Sequence, residues 1–104
     1  MIAEAPCANF DAVRKSAEAI WREELQKVRV TMVSQDQMTS FYTALYHTCL
    51  SPTVYTDSDG RYRGLDQNIH TAEGFTNYTT FSLWDTYRAL HPLFTILQQR
   101  RTPD

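Results

Sequence analysis

Apolar positions in the first third of the chain recur at intervals of three and four residues. They form one stripe: Phe10, Val13, Ala17, Ile20, Trp21, Leu25 and Val28. The positions between them are mostly charged. This spacing predicts an amphipathic helix that packs on one side and leaves its charged face in solvent. Asn9 is a suitable N-cap, so we predict a helix over residues 11–30.

A second apolar stripe predicts a helix over residues 35–49. Its members are Met38, Phe41, Tyr42, Leu45, Tyr46 and Cys49. Ser34 and Gln37 have the spacing of a capping box, in which each side chain bonds the backbone N–H of the other residue. The dipeptide Ser51-Pro52 should end this helix, because proline has no N–H to continue it.

Residues 53–64 have a different pattern. Val54 and Tyr55 favour strands, and Asp59-Gly60 is a typical two-residue turn, so we predict a short β-hairpin or an irregular segment here. The acidic run from Asp57 resembles the start of a calcium loop. An EF-hand has its glycine at position six, however, whereas Gly60 is the fourth residue of this run. The pattern therefore favours a turn, and residues 65–78, which are polar, should form an irregular loop.

The segment 81–97 contains the most apolar helix pattern of the chain. One face is formed by Leu83, Tyr87, Leu90, Phe94 and Leu97, and Phe81, Trp84, Asp85 and Arg88 lie on the neighbouring face. Pro92 should kink the helix or restart it. A helix with an apolar face beside an aromatic, acidic and basic face is typical of a wall between a core and a polar cavity.

Asp85 has two interpretations at this point. It can form an ion pair with Arg88, three residues further along the same helix. Alternatively, Trp84 can stack against the C–H face of a sugar while Asp85 accepts hydrogen bonds from its hydroxyls. Arg88 would then hold the Asp85 carboxylate in place from behind. Spacing alone does not choose between the two.

Composition narrows the class of protein. The 104 residues include 42% hydrophobic and 21% charged residues, with a net charge of −2, so nothing indicates the clustered basic surface of a nucleic-acid-binding protein. No apolar run reaches the roughly 20 residues of a membrane span. Cys7 and Cys49 have neither the number nor the spacing of a metal site or a disulfide scaffold, and a bridge between them stays open.

Three blocks of sequence resemble glycoside hydrolase family 92. They are FYTALYHTCLSP (41–52), DSDGRYRGLD (57–66) and TNYTTFSLWDTYRALHPLFTIL (76–97). The resemblance implies an exo-acting α-mannosidase whose catalytic domain is a mainly α-helical (α/α) barrel. Residues 1–104 would be a single partial domain at the start of that barrel, without the β-sandwich domain or the downstream part. Both ends have the character of a piece of a longer protein, and the first ten residues lack a signal-peptide pattern.

The resemblance also implies which functional groups this chain contains and which lie in downstream motifs. Trp84 and Asp85 match the family's Trp-Asp pair at the terminal mannose, with Arg88 in a supporting position. The inverting mechanism needs calcium and two carboxyl groups, which the resemblance assigns to downstream motifs. We therefore expect no catalytic residue and no metal ligand in this chain, no activity of the chain alone, and some self-association. The expected partner is a mannose-containing glycan, and the expected location is secreted, periplasmic or cell-surface. The alternatives are another helical-barrel carbohydrate-active enzyme or a non-catalytic helical interaction module.

Overall fold

A computed structural model describes residues 9–104, and it is mainly helical with one small sheet. The chain divides into two compact units, Met1–His47 and Thr48–Asp104. The first unit contains helix α1, Phe10–Leu25, and all but the last residue of helix α2, Gln35–Thr48. The second contains strands β1, Arg61–Arg63, and β2, Ile69–Thr71, and helices α3, Leu83–Thr86, and α4, Leu90–Leu97. The predicted fold class is confirmed, whereas several of the predicted boundaries change.

Helix α1 begins where the sequence predicts and ends earlier. The Asn9 side chain accepts a hydrogen bond from the Asp11 backbone N–H at 2.9 Å, which is the predicted N-cap. The helix ends at Leu25 and not at residue 30. The stretch 28–33, VRVTMV, is rich in β-branched residues, which lose side-chain freedom in a helix and so favour another conformation.

Helix α2 starts at the predicted cap. The Ser34 hydroxyl accepts a hydrogen bond from the Gln37 N–H at 3.2 Å, which is one half of the predicted capping box. In the same unit the Tyr42 hydroxyl donates to the Val28 carbonyl at 3.1 Å. Leu45 is the one buried hydrophobic residue in the described part of the chain, with 8% of its surface exposed. The core of residues 9–104 is therefore very small.

The hairpin lies further along the chain than the sequence predicts. Strands β1 and β2 pair antiparallel, with Tyr62 opposite His70. Val54 instead forms an isolated antiparallel bridge with Tyr78. The predicted irregular loop 65–78 therefore contains a strand and a bridge residue, because each of these segments pairs with a partner that its own local pattern does not specify.

The predicted turn before the hairpin is present. The Gly60 N–H donates to the Asp57 carbonyl at 2.9 Å, and Gly60 has φ +84°, a conformation that glycine adopts without strain. The predicted turn, in preference to a calcium loop, is thus confirmed.

The last predicted helix is split in two. Helix α3 ends at Thr86, and α4 restarts at Leu90, with Ala89 at φ −136° between them. Pro92 is the third residue of α4, within the first turn, where its missing N–H has no intrahelical acceptor to lose. The predicted restart therefore occurs, two residues earlier than Pro92. No helix among residues 9–104 has the length and hydropathy needed to cross a membrane.

Candidate functional site

Trp84 lies on a very short helix and is open to solvent. The single turn of α3 is closed by hydrogen bonds from the Asp85 N–H to the Ser82 carbonyl at 3.1 Å and from the Tyr87 N–H to the Leu83 carbonyl at 3.0 Å. The Trp84 side chain is 81% exposed. Because an indole buries a large apolar area when it is part of a core, this exposure leaves its ring face available to a ligand or to another part of a larger domain.

Tyr87 contacts both Trp84 and Arg88, and the periodicity of the segment does not predict either contact. Its ring centroid is 6.2 Å from that of Trp84, with the planes inclined at 45°. The Arg88 Nε donates to the Tyr87 hydroxyl at 2.6 Å, and its guanidinium carbon is 5.4 Å from the Tyr87 ring centroid. The periodicity assigned Tyr87 to the apolar face of a continuous helix. In the structure it follows α3 and connects the indole to the guanidinium.

Asp85 is exposed and does not pair with Arg88. Among the ion pairs of residues 9–104, none joins these two side chains. Both interpretations of Asp85, the ion pair and the sugar-binding role, expected a contact between Asp85 and Arg88. That contact required a continuous helix, in which residues three apart lie on one face. Helix α3 ends at Thr86, so this relation is lost, and Arg88 contacts Tyr87 instead. The Asp85 carboxylate is consequently free to accept hydrogen bonds from a ligand.

Three hollows formed by residues 9–104 are lined by other residues. Trp84 and Asp85 are on the outside of their own unit. A cavity around this pair would need walls from elsewhere in a larger domain. The sugar-binding roles of Trp84 and Asp85, and the supporting role of Arg88, therefore stay predictions.

A cluster of hydrogen-bonded polar side chains lies at the hairpin tip. Asp66 is bonded by the His70 Nε2, 3.0 Å from each of its carboxylate oxygens, and by the side chain and backbone N–H of Asn68. Hydrogen bonds from His70, followed by those from Asn68, lower the pKa of Asp66 from 3.8 to about 2. The local pattern of residues did not predict this cluster, because it depends on the register of β1 and β2.

A second carboxylate fixes the start of the hairpin. The Arg61 backbone N–H donates to Asp59 Oδ1 at 3.0 Å, and the Arg61 Nε donates to Oδ2 at 2.6 Å. The backbone hydrogen bond from Arg61, and then its side-chain hydrogen bond, lower the pKa of Asp59. Both oxygens of this carboxylate thus serve the turn, which gives it a structural role.

Metal ligands are not gathered in the described part of the chain. Within residues 9–104, no three His, Cys, Asp or Glu side chains lie close enough together to hold a metal ion. Cys49 is half-buried. Cys7, the other half of the bridge left open above, lies outside the described residues.

The mainly helical fold of residues 9–104 is consistent with a fragment of the helical-barrel catalytic domain that the three sequence blocks predict. The chain belongs to glycosyl hydrolase family 92, since the sequence profile of the "Glycosyl hydrolase family 92 catalytic domain" matches residues 1–104. The resemblance drawn from the three sequence blocks is therefore confirmed.

Solved structures of this family share the fold. A family GH92 alpha-mannosidase from Bacteroides thetaiotaomicron is 53% identical over 88% of this chain, with a TM-score of 0.82. Its complex with mannoimidazole matches 83% of the chain at 56% identity, with a TM-score of 0.76. The family glycosyl hydrolase ccman5 matches 96% of the chain at 30% identity, with a TM-score of 0.81.

The match covers a small part of these relatives. This chain spans 12%, 11% and 14% of their respective lengths. A comparison with functionally curated proteins gives no match.

Proposed function

We propose that this chain is part of an α-mannosidase and forms one wall of the site that binds the terminal mannose. The observation that carries the proposal is the exposed Trp84–Asp85 pair in a chain 53% identical to a family GH92 alpha-mannosidase. The complex of that relative with mannoimidazole supports a mannose-containing glycan as the ligand class. The complete enzyme would remove terminal α-linked mannose from glycans.

The two side chains have complementary roles in this proposal. The Trp84 indole stacks against the apolar C–H face of the sugar ring. The Asp85 carboxylate accepts hydrogen bonds from sugar hydroxyls, which are stronger than bonds between neutral groups. Tyr87, held by Arg88, supports the indole from the side, so Arg88 would act on the site through Tyr87.

The hydrolysis itself requires groups beyond this wall. An inverting glycosidase uses a carboxylic acid and a carboxylate roughly 6.5–9.5 Å apart on opposite sides of the scissile bond. Asp85 is assigned to neither role. The acid, the base and the ligands of a calcium ion, which would contact the sugar in the complete enzyme, come from other parts of a larger domain in this proposal.

The exposed apolar surface of the chain also supports the proposal that these residues are part of a larger domain. Large hydrophobic side chains are exposed along both units, including Phe10 at 77%, Leu83 at 65% and Ile96 at 69%. Such surface is normally covered by neighbouring helices or by a partner. We therefore propose that residues 1–104 alone self-associate and do not hydrolyse mannosides. A self-sufficient interaction module would need a larger core than the one buried leucine found in residues 9–104.

The proposed substrate also implies a location. Mannose-containing glycans are mostly outside the cytoplasm, so the parent enzyme would be secreted, periplasmic or attached to the cell surface. Fractionation of the source cells with an antibody to this chain would test the location directly.

The activity test compares the complete parent enzyme with residues 1–104. We expect the parent to hydrolyse a nitrophenyl α-mannoside, to lose this activity with a calcium chelator and to regain it with added calcium. The isolated chain should be inactive under all three conditions. A parent that is inactive on α-mannosides but active on another glycoside would refute the mannosidase assignment, and turnover by residues 1–104 alone would refute the placement of the catalytic carboxyls.

A further inference from the structure

No further inference is drawn: the strongest candidate, the hollow of about 260 Å³ in the second unit beside Cys49, Phe81, His91 and Phe94, is an unpartnered apolar cavity, and nothing in residues 9–104 shows which ligand or which part of a larger domain covers it.

Discussion

Replacing Trp84 by alanine distinguishes a sugar-binding indole from a structural one. In this chain the side chain is 81% exposed, so about one fifth of its surface is covered. For a side chain of about 250 Å² this is about 50 Å², and at about 25 cal/mol per Å² it corresponds to about 1 kcal/mol. If the complete domain leaves Trp84 equally open, Trp84→Ala should lower the free energy of unfolding by no more than this amount.

The effect on catalysis should be larger. A hexose that covers one face of the indole removes about 80–100 Å² of apolar surface from water, which corresponds to about 2 kcal/mol. The variant should therefore lose about 30-fold in kcat/KM on an α-mannoside. Trp84→Phe, with a smaller ring, should lose less.

The assay combines denaturant unfolding of the complete enzyme with steady-state kinetics. Leu83→Ala is the matched control, because it removes a large side chain that is 65% exposed from the same short helix. It should change kcat/KM less than Trp84→Ala does. A loss of about 3–5 kcal/mol in stability for Trp84→Ala would mean that the rest of the domain buries the indole as core. That result would refute the assignment of Trp84 to the mannose site.

Four further predictions follow from single contacts. Asp85→Asn should lower kcat/KM about 10- to 100-fold by weakening hydrogen bonds from sugar hydroxyls. Its thermal stability should be unchanged, because no ion pair within residues 9–104 holds this carboxylate. Unchanged kinetics would contradict the proposed role of Asp85. Ser34→Ala should cost about 1 kcal/mol in denaturant unfolding by removing the α2 cap, with Ser34→Asp as the retained cap. Gly64→Ala should disorder the hairpin tip, because the new Cβ would lie 2.5 Å from Asp66 Oδ1. Hydrogen exchange should show a loss of protection of the backbone amides at the tip. Ionised Asp66 should stabilise the folded chain fully above pH 3.8, and this contribution should be lost as the pH falls towards 2. His70→Ala should raise the pKa of Asp66 towards 3.8. NMR titration of the Asp66 carboxyl carbon should detect this upward shift.

The local signals in the sequence were sufficient for the starts and caps of α1 and α2, but not for the end of α1 or for the break between α3 and α4. Asn9 and Ser34 are caps because their short side chains bond a backbone N–H two or three residues away, and this geometry needs no tertiary context. The turn at Gly60 is equally local. The three sequence blocks were also sufficient to identify the family, with the Trp84–Asp85 pair inside one of them.

Tertiary structure decided which segments of the chain pair with each other. Val54 and Tyr55 favour strands, but the sequence does not specify that their partners are residues 77 and 78 and not Arg61–Arg63. Pairing over more than ten residues is set by competition among all segments, and a local pattern contains no information about it.

The same reason explains the surroundings of the proposed mannose site. Periodicity placed Asp85 and Arg88 on one helix face, and the break at residues 87–89 separated them and gave Arg88 to Tyr87. Amino-acid order determined which groups are present, the local elements that carry them and the family to which they belong. Only the folded chain decided which of those groups touch, because contacts between segments are chosen by packing and hydrogen bonding across the whole domain.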